Sequence, residues 1–108
     1  MQKQYIDIRS GTKRYFKDKE MTILHRLDGP AVQYASGYKE WNVDGKLHRT
    51  DGPAIEYPDG SKAWYVDGKL HRLDGPAFEY TDEDKAWYVN GVFIMMVDKE
   101  GTVIKRME

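Results

Sequence analysis

A histidine, an arginine and an aspartate recur along the chain in one spacing, His-Arg-x-Asp. The three copies are His25, Arg26 and Asp28; His48, Arg49 and Asp51; and His71, Arg72 and Asp74. A histidine beside a carboxylate is the raw material of a general base or a metal ligand. Repetition argues against both. A catalytic site is a single asymmetric constellation, whereas a triplet renewed in every unit behaves like fold chemistry. Equivalent residues of successive hairpins also lie two strands apart, roughly 10 Å at the usual strand spacing, too far for adjacent histidines to share one ion. The triplet therefore predicts no catalytic residue, no cofactor and no metal site. Asp28, Asp51 and Asp74 are expected to accept backbone hydrogen bonds in the turn before Gly-Pro. The arginines are expected to bridge to the neighbouring unit's carboxylates, a charge ladder contributing about 0–1 kcal/mol per pair. The alternative is that Arg26, Arg49 and Arg72 grip an anion, such as a phosphate or an acidic peptide.

These side chains are carried on a repeat. Residues 24–46, 47–69 and 70–92 align without a gap and share the frame L-H-R-x-D-G-P-A, then Tyr, then a polar turn, then K-x-W-x-V-[DN]-G. In the middle unit residues 54–57 read as one strand, residues 58–61 (Pro-Asp-Gly-Ser) as a tight turn, and residues 62–66 as the return strand. Asp67-Gly68, like Asp44-Gly45 and Asn90-Gly91, suits a second turn in which both central residues need positive φ.

Alternation then assigns the faces. Val32, Ile55 and Phe78 fall with Tyr34, Tyr57 and Tyr80, and Trp41, Trp64 and Trp87 with Val43, Val66 and Val89. Together these make an apolar stripe, expected to be the buried face and a structural feature of the repeat. The opposite side is assigned Gln33, Glu56, Glu79, Glu40, Ala63, Ala86, Asn42, Tyr65 and Tyr88. Tyr65 and Tyr88 are the expected contact residues there, since tyrosine is enriched at binding surfaces.

The ends repeat the plan in degraded form. Residues 5–18 align with 54–67, followed by a three-residue insertion, and residues 93–107 read as a last hairpin around residues 98–101. The expectation is an all-β, single-sheet antiparallel meander of about five tandem hairpins with a 23-residue period, forming one domain over 1–108. Its parts are a degenerate N-terminal hairpin (1–23), three repeats and a capping hairpin (93–108). Phe93, Ile94, Met95 and Met96 break the alternation and are apolar on both faces. They are either a cap over the core or a self-association surface that would make a homodimer.

Composition removes several function classes. Lys and Arg number 17 against 18 Asp and Glu, and the repeats are mildly acidic, so a nucleic-acid partner is not expected. There is no cysteine for disulfides or the common structural zinc sites. The longest apolar run, Val92 to Val97, is far short of a transmembrane segment, and the first residues lack an apolar signal segment. A cytoplasmic location is the expectation.

The unit W-Y-V-D-G-K-L-H-R-x-D-G-P-A-x-E-Y-x-D-G resembles the MORN (membrane occupation and recognition nexus) repeat, Y-x-G-x-W-x-x-G-x-x-H-G-x-G. Trp64, Gly68, His71, Tyr57, Asp59 and Gly60 fall in matching places. The family's H-G-x-G is replaced by H-R-x-D-G-P-A, a variant similar to short repeat proteins of tailed phages, giant viruses and some bacteria. The resemblance implies an elongated β-meander engaged in protein or lipid interaction and not in catalysis.

The resulting expectation is a non-catalytic module that binds a protein. If it is viral, it would act in the host cytoplasm by occluding a host protein such as a defence factor. The alternative is a binder of small anionic ligands or lipid headgroups that uses the Arg ladder and the tyrosines. An enzyme would require one unit chemically distinct from its siblings. The reading finds only the acidic turn Asp82-Glu83-Asp84, a weak cation site or a solvated loop.

Overall fold

The fold is that of a computed structural model, which describes residues 3–107. From the N-terminus its strands are β1 (Tyr5–Arg9), β2 (Thr12–Phe16), β3 (Val32–Gln33), β4 (Lys39–Glu40), β5 (Asn42–Val43), β6 (Lys46–Leu47), β7 (Ile55–Glu56), β8 (Lys62–Ala63), β9 (Tyr65–Val66), β10 (Lys69–Leu70), β11 (Phe78–Glu79), β12 (Lys85–Val89), β13 (Val92–Val97) and β14 (Val103–Arg106). Ten of them form one antiparallel sheet in the order β1-β2-β3-β4-β7-β8-β11-β12-β13-β14, and no helix occurs among the described residues. This is the meander of five hairpins expected from the repeat. Its long axis of 47 Å is what ten strands at about 4.8 Å spacing require.

The remaining four strands, β5–β6 and β9–β10, stand outside as two-stranded ribbons. The return strand expected over 62–66 thus breaks at Trp64: β8 stays in the main sheet and β9 leaves it, and the same happens at Trp41. At Trp87 the strand runs through, because β13 continues straight past Gly91 and pairs along β12, whereas after Gly45 and Gly68 the chain turns into the His-Arg corner. The ribbons are tied sideways by backbone bonds. The Arg49 amide donates to the Tyr65 carbonyl (3.1 Å) and that of Gly68 to Leu47 (2.8 Å), so the two ribbons are joined to each other outside the main sheet.

The sheet register corrects the face assignment. The turn between β7 and β8 contains three residues, not four: the Tyr57 amide donates to the Ser61 carbonyl, and that of Gly60 donates back to Tyr57. Ile55 therefore lies opposite Ala63, and Phe78 opposite Ala86. A slip of one residue moves a whole strand's side chains to the other face. Ala63 and Ala86, assigned to the open side, are 0% and 1% exposed, and they share a face with Val32, Ile55 and the tyrosines. Trp41, Trp64 and Trp87 fall on the opposite face, with Glu56 and Glu79. Each face buries small side chains next to the backbone, with Ala31, Ala54 and Ala77 fully covered. In a single layer the cover on both sides comes from larger side chains lying across the sheet.

The Asp44-Gly45, Asp67-Gly68 and Asn90-Gly91 turns have positive φ at both central residues, as expected. The three-residue turns need positive φ at their last residue. Gly37 and Gly60 occupy that position in the first two units, but in the third it is Glu83, at φ 72. A side chain in the left-handed region clashes with the following carbonyl, which glycine avoids. Glu83→Gly should therefore stabilise the fold by about 0.5–1 kcal/mol, net of the added flexibility of the unfolded chain. Thermal denaturation should show a Tm a few degrees higher, and an unchanged or lower Tm would contradict this account.

Candidate functional site

Each conserved-looking residue of the H-R-x-D-G-P-A corner has a structural task. The Arg49 guanidinium lies 3.9 Å above the Trp41 ring of the preceding unit, Arg72 lies 4.0 Å above Trp64, and Arg26 lies 4.0 Å above Tyr15, which holds the tryptophan position in the degenerate first hairpin. Within its own unit Arg49 donates from Nε to Asp51 (3.0 Å) and from a terminal nitrogen to the Pro53 carbonyl (3.0 Å), and it pairs with Glu56 at 3.5 Å. Arg72 repeats the set with Asp74, Pro76 and Glu79, and Arg26 with Asp28 and Pro30. The expected charge ladder between units is therefore corrected. The arginines' ion pairs close within a unit, to the Asp two residues on and, for Arg49 and Arg72, the Glu seven residues on, and their contact between units is cation–π. The aspartates accept from the arginine and not from the turn backbone.

Glycine completes the arrangement by its size. A Cβ built on Gly52 would meet Arg49 Cζ at 2.9 Å, and Gly29 and Gly75 stand in the same relation to Arg26 and Arg72. The histidines act as acceptors: Nδ1 of His25, His48 and His71 receives the backbone N–H of Asp44 (3.0 Å), Asp67 (3.1 Å) and Asn90 (2.9 Å), holding the two ends of each unit together. Among the described residues no three His, Cys, Asp or Glu side chains converge as a metal site would require, the acidic turn at 82–84 included.

Between successive corners lie shallow grooves. One of about 600 Å³ is lined by Arg26, Leu27, Trp41, Val43, His48 and Arg49, and its neighbour of about 480 Å³ repeats the set one unit on, with Trp64, Val66, His71, Arg72 and Leu73. Leu27 and Leu73, at the variable position of the corner, are 76% and 80% exposed and were not singled out by the sequence reading.

The opposite face is aromatic. Tyr34 stacks on Tyr38 (ring centroids 5.2 Å apart), Tyr38 meets Tyr57 edge-on (5.7 Å), Tyr57 leans on Phe78 (5.9 Å), and Phe78 on Tyr80 (4.4 Å). Tyr88 continues the surface against Phe93 at 5.5 Å. Tyr34 is 47% and Tyr80 38% exposed, so the row expected to be core is half open. Tyr65 and Tyr88 are half-buried, on this same face and not on an opposite polar one.

One unit does differ from its siblings. At the three return-strand positions facing the tyrosines, the second and third units have Ser61, Ala63, Tyr65 and Asp84, Ala86, Tyr88, whereas the first has Tyr38, Glu40 and Asn42. The Tyr38 hydroxyl donates to Glu40 Oε2 (2.6 Å) and Asn42 Nδ2 to Oε1 (3.2 Å). Burial, followed by that bond to Glu40, raises the Tyr38 phenol above its ordinary value. Burial also raises Tyr57 and Tyr65, with the Glu40 charge contributing to both. The departure at every second residue was visible in the alignment of the units but not recognised as one cluster.

Phe93, Ile94, Met95 and Met96 lie on β13, which is paired on both sides and half-buried. Met95 stands opposite Trp87, where an arginine would otherwise stack, which ends the cation–π series. The exposed apolar side chains of the two sheet edges are Ile6 and Ile8 on β1, and Val103 and Ile104 on β14.

No family model matches the chain, and neither curated proteins nor solved structures give a match.

Gly52→Ala should force the Arg49 guanidinium off Trp41 and destabilise the protein by about 1–3 kcal/mol, the range for inserting a methyl into a packed site. In an Arg49→Ala background most of that cost should vanish, so chemical denaturation of the four proteins should give a coupling above about 0.5 kcal/mol. Additive losses would show that the glycine does not serve the arginine.

Proposed function

We propose that this chain is a non-catalytic binding protein whose tyrosine face engages a protein partner. One observation carries the reading: a row of aromatic rings lies across the ten-stranded sheet and stays partly exposed, Tyr34 and Tyr80 most of all. Tyrosines held on a rigid sheet present large contact area at little entropic cost, and each keeps a hydroxyl for hydrogen bonding. Tyr65 in the second unit and Tyr88 in the third are half-buried tyrosines of the same face.

The alternatives draw less support. A small anion or lipid headgroup gripped by Arg26, Arg49 and Arg72 would find Nε and one terminal nitrogen of each guanidinium already donating within the protein. As general bases the histidines would need a free ring nitrogen, whereas Nδ1 already accepts a backbone N–H in all three units, which leaves the proton of the neutral ring on Nε2. The likeness to phage repeat proteins adds the proposal that the partner is a host protein, engaged in the host cytoplasm.

The test is capture of protein from lysate by immobilised wild-type chain and by the double variant Tyr65→Ser, Tyr88→Ser. A specific protein retained by the wild type and reduced at least about ten-fold with the variant, at unchanged circular dichroism, is the expected result. Equal retention by both would remove the tyrosine face from the interaction. No retention by either would count against a protein partner.

A further inference from the structure

The strongest departure from the repeat is also electrostatically incomplete. Glu40 lies on β4 directly between Val32 and Ile55, which are 3% and 5% exposed, in the place where the later units put a buried alanine. Its carboxylate pairs with no Lys, Arg or His among the described residues; its only bonds are from a neutral phenol and a neutral amide. A carboxylate held on an apolar surface without a counter-charge is costly, and siblings of the same fold do without it. Beside it Asn42 is 3% exposed, and its Oδ1 accepts no hydrogen bond from the protein. The cluster thus holds one negative charge and one acceptor more than its donors satisfy. Around it stand Tyr38 and Tyr57, with rings 5.7 Å apart.

The other face of the same sheet shows what completes such a set. There an aromatic ring and a carboxylate occur three times, each time with a guanidinium over the ring at 3.9–4.0 Å and Nε on the carboxylate at 3.0 Å. On the tyrosine face the ring and the carboxylate are present and the cation is not. We propose that Glu40, with Tyr38 and Tyr57 as aromatic walls, is a receptor for an arginine side chain presented by the protein partner. Charge complementarity selects a cation, and the planar guanidinium can stack on a ring while donating in its own plane, which a lysine ammonium cannot. This rests on the proposed function and narrows it to a basic epitope.

The probe is the peptide acetyl-Gly-Arg-Gly-amide, titrated into labelled protein and followed by NMR at the Tyr38 and Tyr57 rings. The neutral isostere with citrulline in place of arginine is the control. Saturable shifts at those rings are expected, with binding at least about ten-fold weaker for citrulline and for Glu40→Gln. Glu40→Ala, the residue found at 63 and 86, keeps the fold accessible. It should melt no lower than wild type while losing the arginine response. The proposal fails if the peptide gives no saturable shift, if citrulline serves as well, if the response maps to the Trp41 groove, or if Glu40→Ala melts lower and so reveals a purely structural carboxylate. Because the probe needs no partner, its failure leaves the lysate experiment standing, and failure of the lysate experiment leaves the probe result readable.

Discussion

The structure depends on a guanidinium laid over the aromatic ring of the preceding unit. A hairpin repeat in one layer has no opposing sheet to pack against, so each unit must be locked to its neighbour by side chains that cross from one to the next. Arginine suits this better than a hydrophobe. Its flat face covers Tyr15, Trp41 or Trp64, while its edge donates to Asp, Glu and a proline carbonyl of its own unit. A partly desolvated cation–π contact contributes about 0.5–2 kcal/mol, and the exposed Asp partners add little beyond orientation. Glycine at 29, 52 and 75 leaves the room, and alanine at 31, 54 and 77 is fully buried two residues on. The signature H-R-x-D-G-P-A is the set of residues this stacking demands.

That arrangement divides the labour between the faces. The Trp–Arg face is internally satisfied, with cations, carboxylates and rings matched to one another. The tyrosine face is not. Its rings touch along the row but remain half open, and Glu40 has no opposite charge. The two faces come from the same repeat but differ in how completely their polar groups are paired: the Trp–Arg face closes its own ion pairs, and the tyrosine face leaves the Glu40 carboxylate without one among the described residues.

The terminal hairpins close the series by substitution. Tyr15 replaces tryptophan at the start, and Met95 replaces arginine at the end, where β12 and β13 run straight instead of turning a corner. The edges beyond them, β1 and β14, keep exposed aliphatic side chains among charged ones. Arg9 and Arg14 both bond to Asp7 and give β1 the charge that discourages strand pairing at an open edge.

The 23-residue period, the five hairpins, the positive-φ Asp-Gly turns and the structural character of His-Arg-x-Asp were all legible in the sequence, because local turn chemistry and repetition determine them. The side-chain faces were not. They hang on whether the turn at 58–61 uses three residues or four, which depends on a single backbone bond from Tyr57 to Ser61, and one residue of slip reverses every assignment on the return strand. Nor could the sequence show that each arginine reaches back to the ring of the previous unit, or that Tyr38, bonded to Glu40, meets Tyr57 on one surface. Those contacts join residues of different hairpins, and only the packing of one unit against the next brings them together.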